Sequence, residues 1–373
     1  MNGMNSEITD IWTQLKSDPR PLVLYGTGNG ADRIIDILER ENIKISGIFS
    51  STAFVRDRFF RGYKVETFEA LRSRFPDMRV LMCFGSAREE VLSFVREIAK
   101  TNEISAPDVP VYGENVFNCT FFEAHKKELS VVYEHLSDEK SRETFRKLVE
   151  FKLTGKIENL FSCEYDNTDL FNLPENCTYI DFGAYNGDTV LKFYEKFPCS
   201  RIIALEPDAR NFRKLRENTA HIKNISYYNA LVSDSDGTVY LDNNKGRGAH
   251  ESGKGTLPTK ALTVDSLIQK EKRTLSGPLV LKFDVEGNEL KALSGAEGTI
   301  KELKPVIVAA CYHRSEDYFT LPLKILSLDP TYKIYMRHYK GIPAWETDYI
   351  FIPEEIKINS DICGRGGVAP SVT

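Results

Sequence analysis

Short apolar runs alternate along the chain with segments whose apolar residues recur every three or four positions. Leu22–Tyr25 is a four-residue apolar run that predicts a strand. The helical spacing that follows it is carried by Ile34, Ile35, Ile37 and Leu38. The alternation continues to residue 100 through "IKISGIFS", "ETFEALRSRF", "RVLMCFG" and "AREEVLSFVREIAK". This pattern predicts a small parallel sheet of Rossmann type in residues 1–119.

Residues 120–173 have a different pattern, with many charges and an apolar stripe at helical spacing. The stripe is formed by Val131, Val132, Leu136, Phe145, Leu148, Val149 and Phe151. Within "LSDEKS", Ser137 or Asp138 is a candidate N-cap for a second helix. A solvated charged connector is the alternative, but the stripe favours burial. We therefore expect two linked helices that pack on the domain that follows.

Residues 174–356 return to alternating strands and helices. The successive segments are "CTYIDFG", "DTVLKFYEKF", "SRIIALEP", "ARNFRKLRENTA", "ISYYNALVS", "GTVYLDN", "LVLKFDVEG", "ELKALSGAEGTI" and "PVIVAACYH". Two further β-rich runs, "YKIYMRHY" and "DYIFIP", end the domain, and we expect residues 357–373 to be a flexible tail. The predicted fold class is α/β, with two Rossmann-like three-layer units joined by a helical segment. The second unit is a doubly wound sheet with an antiparallel edge.

Composition limits the possible functions. The chain has 373 residues, 41% hydrophobic and 28% charged, which is enough for two packed cores. Its net charge of −5 argues against nucleic acid or an anionic membrane as a partner. No long apolar run or signal-like N-terminus is present, so we expect a cytoplasmic protein. The seven cysteines include no CxxC pair and are expected to be free thiols.

The first unit contains a glycine-rich turn after its first strand. The stretch 26–31, Gly-Thr-Gly-Asn-Gly-Ala, matches a loose G-x-G-x-x-A pattern. The second strand ends at Ser50, where a dinucleotide site needs an acidic residue, and Arg56 and Arg58 lie beyond the expected place. The glycines either allow tight strand and helix packing or serve a nicotinamide-dependent oxidoreductase or nucleotide-sugar enzyme.

The second unit has a stronger candidate at "YIDFGAYNGDTV", residues 179–190. A strand that enters a glycine turn and then a helix leaves backbone N–H groups that bind anionic groups. Asp181 can accept a ligand ammonium, and Gly183 and Gly187 allow the backbone to approach the ligand. Glu206 lies 25 residues after Asp181, the usual spacing for a carboxylate that binds ribose hydroxyls. A ribose, an ammonium and a carboxylate together indicate S-adenosylmethionine.

Acids recur at the ends of the predicted parallel strands, where ligands collect. The candidate cofactor-binding residues are Asp181, Gly183, Ala184, Asn186, Gly187, Asp188, Thr189, Glu206, Pro207, Asn229, Ala230 and Asp284. Structural alternatives exist, because Asp181 can cap the helix and Glu206 can pair with Arg210 or Arg213. A non-catalytic scaffold is a further alternative, but four acids at strand ends argue against it.

These stretches resemble the successive motifs of FkbM-type methyltransferases, a class I S-adenosylmethionine-dependent group. The resemblance extends over residues 178–314, and its most diagnostic part is the run Lys282, Asp284, Glu286 and Gly287. It implies O-methylation of a hydroxyl on a sugar, glycan or other secondary metabolite. The first unit is similar to nucleotide-binding-like domains in front of sugar-modifying enzymes, but the missing acid after "GIF" means that nucleotide binding is not implied.

Methyl transfer to a hydroxyl needs a group that removes the proton. His313 has the most suitable unperturbed pKa, and Glu286 becomes suitable where burial raises its pKa. We expect His313 or Glu286 to be the base, and Asp284 to position the cofactor amine or the acceptor. His313 can instead be a structural hydrogen bonder, Glu286 can cap the next helix, and Lys282 can pair with a neighbouring acid.

Three further features complete the candidate chemistry. Asp284, Glu286 and His313 form an oxygen-rich cluster, but their spacing does not demand a metal, and none is expected. Asp265 is expected to be a helix N-cap. The glycine-rich stretch 242–260 is expected to be a lid that contributes His250 or Arg247, with a flexible loop as the alternative. The acceptor and any homo-oligomer are not determined by these features.

Overall fold

The computed structural model describes residues 8–51, 58–164, 176–197, 199–241 and 256–356. Two α/β units, each with its own mainly parallel sheet, are connected by a helical segment. No helix within these ranges is long and apolar enough to cross a membrane. The predicted tail and most of the predicted lid, with His250 and Arg247, lie outside the described residues.

The first unit is a six-stranded sheet with helices on its faces. Its elements are α1 (Ile11–Ser17), β1 (Leu22–Tyr25), α2 (Asn29–Arg40), β2 (Gly47–Phe49), β3 (Phe59–Phe60), β4 (Tyr63–Glu66), α3 (Phe68–Arg74), β5 (Arg79–Met82), α4 (Glu89–Ala99) and β6 (Ile104–Ser105). The strand order is β3-β4-β2-β1-β5-β6, and only β3 runs antiparallel to its neighbour. The apolar pattern identified the central elements but missed α1, β6 and the β3–β4 hairpin.

The helical segment contains two longer helices flanked by two short ones. They are α5 (Cys119–Ala124), α6 (Lys126–His135), α7 (Glu139–Thr154) and α8 (Glu158–Phe161). Asp138 is the N-cap of α7 and accepts the Ser141 N–H at 2.8 Å, whereas Ser137 is not the cap. Gly155, at a φ of 67°, ends the helix in a left-handed conformation.

The second unit is a seven-stranded sheet with a small accessory sheet. Its elements are β7 (Cys177–Phe182), α9 (Asp188–Lys196), β8 (Cys199–Leu205), α10 (Ala209–Asn218), β9 (Ile225–Tyr228), β10 (Leu231–Val232), β11 (Gly237–Leu241), β12 (Leu257–Leu262), α11 (Val264–Glu271), β13 (Leu279–Phe283), α12 (Glu289–Ser294), α13 (Glu297–Leu303), β14 (Val306–Ala310), α14 (Asp317–Leu328), β15 (Lys333–His338) and β16 (Thr347–Ile352). The order is β15-β16-β14-β13-β7-β8-β9. This confirms the predicted α/β class. The antiparallel strand is β16, one place in from the edge.

The helical segment packs on the second unit, as its apolar stripe predicted. Arg337 of β15 is fully buried, and its guanidinium lies 2.6 Å from the Asp138 carboxylate at the start of α7. The Met336 N–H donates to the Ser141 hydroxyl at 3.0 Å, which joins α7 to β15 a second time. The domain boundaries at 119, 173 and 356 stay predictions.

Three local predictions differ from the structure. Residues 257–260 of the predicted lid belong to β12, which pairs antiparallel with β11. The predicted helix "ELKALSGAEGTI" is two helices. At the break, a Cβ on Gly295 would lie 2.1 Å from the Ser233 carbonyl oxygen. Thr263, not Asp265, is the N-cap of α11. The Asp265 carboxylate instead accepts the N–H groups of residues 298 and 299 in the first turn of α13.

The central strands bring charged residues to one edge of this sheet. Phe182 and Phe283 stack at 4.8 Å between ring centroids on one face, so the alternate residues point to the other. Asp181 and Lys282 are direct partners in the β7 and β13 register, and therefore share that other face. A carboxylate and an ammonium thus lie beside each other near the carboxyl ends of the two central strands.

Candidate functional site

The glycine turn after β7 crosses the end of β13 at very close range. Gly183 and Gly187 adopt φ angles of 89° and 90°, which L side chains rarely adopt. A Cβ on Gly183 would lie 1.9 Å from the Asp284 carbonyl oxygen. The N–H of Ala184 donates to the Leu205 carbonyl at 2.8 Å and ties the turn to β8. Glycine at position 183 is therefore a requirement of the site's backbone.

Asp181 is a fully buried carboxylate with one oxygen left for a ligand. Its Oδ2 accepts the Thr189 hydroxyl at 2.5 Å and the Tyr179 hydroxyl at 3.1 Å. Its Oδ1 has no hydrogen-bond partner among the described residues, although Lys282 Nζ lies 3.8 Å away. Burial raises the pKa of this carboxyl, and Lys282 opposes the rise. Because Asp181 bonds side chains and not the first N–H groups of α9, it does not cap that helix.

Glu206 follows β8 and supports the turn from the other side. Its Oε2 accepts the Tyr185 N–H and its Oε1 accepts the Asp208 N–H, each at 2.9 Å. No ion pair to Arg210 or Arg213 is found in the described part of the chain. Burial raises the pKa of Glu206 to about 7, although the two backbone bonds oppose the rise. Each oxygen keeps acceptor capacity beyond one N–H, so the carboxyl fits two hydroxyl donors.

The other predicted cofactor residues lie around the same turn. Asn229 donates its amide to the carbonyls of Glu206 and Pro207 at 2.8 and 3.0 Å, and Ala230 beside it is buried. The Asn186 side chain accepts the Asp188 N–H at 3.2 Å. Asn229 and Asn186 therefore hold the backbone around the site through hydrogen bonds of their side chains.

Lys282 and Asp284 lie next to Asp181 in the site. Lys282 Nζ lies 3.3 Å from Asp284 Oδ2, as the ion-pair alternative predicted. The Tyr312 hydroxyl donates to Asp284 Oδ1 at 3.2 Å. Burial raises the pKa of Asp284, but Lys282 and His313 together lower it below its ordinary value. Asp284 is therefore ionised and fixed in orientation.

His313 is buried among three carboxylates. Its Nδ1 lies 2.9 Å from Glu289 Oε1, and its Nε2 lies 3.6 Å from Asp284 Oδ1 and 3.5 Å from Glu286 Oε2. Burial lowers its pKa, but the carboxylates, Glu289 foremost, outweigh burial and raise the pKa to about 10. The ring is thus an imidazolium at neutral pH. The expectation that His313 keeps a pKa suited to a base does not match this environment.

Glu286 has the properties that a base requires. Its side chain is 30% exposed, and burial raises its pKa while His313 opposes the rise. The residue has a φ of 55°, a strained conformation for a non-glycine residue. It does not cap the next helix, because Asn288 is at that position and Glu289 Oε1 accepts the Val285 N–H at 2.9 Å.

Asp284, Glu289 and His313 also meet the distance for a metal site, with one ligand atom from each within 4.8 Å of the others. The two carboxylates approach different ring nitrogens, however, Glu289 at Nδ1 and Asp284 at Nε2. An imidazolium with an acid on each side accounts for this arrangement without an ion.

Sequence reasoning missed Glu289 and Tyr112, both of which act at this cluster. Glu289 is the first residue of the helix just after the Lys-x-Asp-x-Glu-Gly run. In the structure it is 0% exposed, and an acid that is buried in this way requires a partner. Tyr112 lies in the segment between β6 and α5, and its phenol lowers the pKa of the Glu286 carboxyl. No local pattern marks it, because the contact joins residues that are far apart in the sequence.

The last glycine of the turn in the first unit packs closely against the end of β5. A Cβ on Gly30 would lie 2.4 Å from the Cys83 carbonyl oxygen, so the helix start sits directly on β5. The guanidinium of Arg58 donates to the Thr27 hydroxyl, brought there by the β3–β4 hairpin. Ser50 still occupies the place of a ribose-binding acid. Arg56 lies outside the described residues.

Comparison with known proteins finds a family model that matches much of the second unit. Residues 181–334 match the family model described as "Methyltransferase FkbM domain". The structure resembles that of methyltransferase FkbM from Methylobacillus flagellatus KT, with a TM-score of 0.68, 19% identity and 90% of each chain covered. At that identity the likeness shows a shared α/β fold. No curated protein matches the chain.

Two further solved structures match with low overall similarity. Precorrin-6y C5,15-methyltransferase from Geobacter metallireducens GS-15 covers 48% of this chain and 80% of its own, with 14% identity and a TM-score of 0.28. Aeropyrum pernix fibrillarin covers 49% of this chain and 70% of its own, with 14% identity and a TM-score of 0.31.

Proposed function

Residues 181–334 belong to the FkbM methyltransferase family, and from this premise we propose that the chain methylates a hydroxyl of a sugar, glycan or other secondary metabolite with S-adenosylmethionine. One observation supports the choice of cofactor above the others. Asp181 and Glu206 flank a single glycine turn, and each keeps acceptor capacity, Asp181 through an oxygen that lacks a hydrogen-bond partner among the described residues.

The residues of this turn match the groups that S-adenosylmethionine presents. Asp181 is suited to the ammonium group, and Glu206 to the two ribose hydroxyls. The first N–H groups of α9, which follow Gly187, are suited to the carboxylate. When bound, S-adenosylmethionine supplies an activated sulfonium methyl, so the protein's remaining task is to orient the acceptor hydroxyl and remove its proton.

Glu286 is the group we propose for proton removal. It is partly exposed, and burial raises its pKa, which makes the carboxylate a stronger proton acceptor. The His313 imidazolium cannot accept a further proton, and instead holds the carboxylates of Glu286 and Asp284 from one side. Asp284, which is ionised and bonded by Tyr312, positions the amine or the acceptor.

Calorimetric titration of S-adenosylmethionine into the full chain tests the proposal, with NAD as the competing ligand. We expect wild type to bind S-adenosylmethionine and Glu206→Ala to bind it ten- to a hundredfold more weakly, or about 1.5–3 kcal/mol for a lost charged hydrogen bond. Glu195→Ala, an exposed acid on α9, should match wild type. Binding of NAD alone, or of neither ligand, contradicts the proposal and directs attention to the first unit.

The acceptor class is tested with S-adenosylmethionine that carries a ¹³C-labelled methyl group. Sugars and nucleotide sugars are incubated with the chain, and the products are examined by carbon NMR. We expect a methyl signal attached to oxygen, and a methyl group on nitrogen or carbon would contradict the hydroxyl assignment.

A further inference from the structure

The segment between β6 and α5, which the sequence pattern assigns to the first unit, lies directly on the acid cluster of the second unit. The backbone N–H of Tyr112 donates to the His313 carbonyl at 2.9 Å. The Ser315 hydroxyl donates to the Asn115 carbonyl at 2.6 Å, and the Asn115 side chain contacts Glu316. The first unit is therefore attached to the loop that carries His313.

Gly287 of the second unit leaves space for the Tyr112 side chain. Gly287 adopts a φ of 87°, and a Cβ at this position would lie 3.0 Å from Tyr112 Cβ and 3.1 Å from its ring. Any other residue at 287 would press against the tyrosine. The glycine of the Lys-x-Asp-x-Glu-Gly run thus accommodates a side chain from the other unit.

The Tyr112 side chain reaches the group proposed as the base. Its phenol lies close enough to the Glu286 carboxyl to lower the pKa of that carboxyl, and its ring centroid lies 6.0 Å from that of His313. His313 Nε2 approaches the same carboxyl at 3.5 Å. Glu286, whose backbone is strained, is therefore held by one residue from each unit.

We infer that the first unit completes the active site, with Tyr112 as the positioning residue that orients the Glu286 carboxylate. This inference rests on the proposed function, since it concerns the same site. It assigns a catalytic purpose to the first unit that does not require the unit to bind a nucleotide.

Loss of the phenol should change how Glu286 ionises, because the phenol of Tyr112 lowers the pKa of the Glu286 carboxyl and so favours its charged form. The charged and titratable groups around Glu286 and His313 are Asp284 after β13, Glu289 of α12, Tyr312 and Arg314 beside His313, Asp317 of α14, Asp348 of β16, and Arg33 of α2, next to Tyr112. All of them remain in Tyr112→Phe, so a difference from wild type arises from the hydroxyl.

The test uses Tyr112→Phe in the full chain, because phenylalanine keeps the ring that packs on Gly287. Tyr240→Phe, at a tyrosine that is 54% exposed, is the matched control. ¹⁵N-histidine NMR follows the His313 ring with pH, and His313→Gln assigns its signal. In the plot of the His313 ¹⁵N shift against pH, ionisation of Glu286 causes an inflection. We expect this inflection to move about 1 pH unit higher in Tyr112→Phe and to stay in place in Tyr240→Phe. Superimposable curves for Tyr112→Phe and wild type would overturn the inference.

The same samples are titrated with S-adenosylmethionine, which separates the two proposals. Tyr112 packs on Gly287 and lies beside Glu286, whereas the proposed cofactor groups are Asp181 and Glu206, so Tyr112→Phe should bind S-adenosylmethionine within about twofold of wild type. Failure of wild type to bind refutes the proposed function, whatever the NMR shows. Normal binding with an unchanged His313 curve refutes the role of Tyr112 alone.

Discussion

His313 Nδ1 lies 2.9 Å from Glu289 Oε1, and both side chains are almost completely buried. The pair connects α12 to the loop after β14, and it explains why a histidine at the end of a strand is charged. A buried ion pair is sensitive to the loss of one partner, because the other charge is then left uncompensated.

Replacing Glu289 with glutamine should therefore destabilise the protein strongly. We expect a loss of about 3–5 kcal/mol in the free energy of unfolding, the usual cost of breaking a buried pair. Urea denaturation measures this loss, and Glu302→Gln, at an exposed acid on α13, should lie within about 0.5 kcal/mol of wild type. Equal losses in the two variants would show that the Glu289 pair does not stabilise the fold.

The same pair predicts how stability depends on pH. The pKa of His313 is raised from 6.5 to about 10, so its contribution is fully present below pH 6.5 and is lost as the pH rises through 10. Wild type should lose free energy of unfolding over this window. Glu289→Gln should lose less over the same range, because its His313 pKa begins closer to the ordinary value. Parallel curves would contradict a charged His313.

The sequence predicted the parts of the site that local pattern determines. The ends of the apolar runs predict the positions of Asp181, Glu206 and Asp284, because parallel strands present their carboxyl ends at one edge of a sheet. The charge state of His313 did not follow, because it depends on carboxylates from separate elements. Tyr112 was missed for the same reason, since its position depends on how two units pack.

Gly183→Ala should disrupt the glycine turn more than an ordinary glycine replacement at positive φ. Both Gly183 and Gly62 have similar φ angles, 89° and 84°, but only Gly183 faces a neighbour, with a Cβ 1.9 Å from the Asp284 carbonyl oxygen. We expect Gly62→Ala to cost about 1–2 kcal/mol and Gly183→Ala at least about 3 kcal/mol, with loss of S-adenosylmethionine binding. Denaturation and calorimetry measure both, and similar costs would contradict the close approach.

Asp138 has two roles that one substitution separates. It caps α7 and also neutralises Arg337, which is fully buried in β15. Asparagine caps as well as aspartate, so Asp138→Asn should cost about 3–5 kcal/mol through loss of the ion pair with the buried guanidinium. Adding Arg337→Met should restore part of that loss. Thermal denaturation of the double-mutant cycle checks this, and strictly additive losses would argue against the ion pair.

Glu206 should make cofactor binding depend on pH around neutrality. Burial raises its pKa to about 7, so in the free protein the carboxyl is about half protonated at that pH. Hydroxyl donors favour the ionised form, so binding of S-adenosylmethionine should release a proton from Glu206. Affinity should rise with pH through 7 and then level off, with wild type about tenfold weaker at pH 6 than at pH 8.

The ligand's own amine titrates near pH 8 and affects every variant equally, so the informative quantity is the difference between wild type and Glu206→Gln. Because glutamine cannot ionise, Glu206→Gln should bind S-adenosylmethionine weakly. Its affinity should also lack the part of the pH dependence that comes from ionisation of Glu206. Calorimetry in two buffers with different ionisation enthalpies counts the protons released. If wild type and Glu206→Gln show the same pH dependence, Glu206 does not accept the ribose hydroxyls, and another residue must bind them.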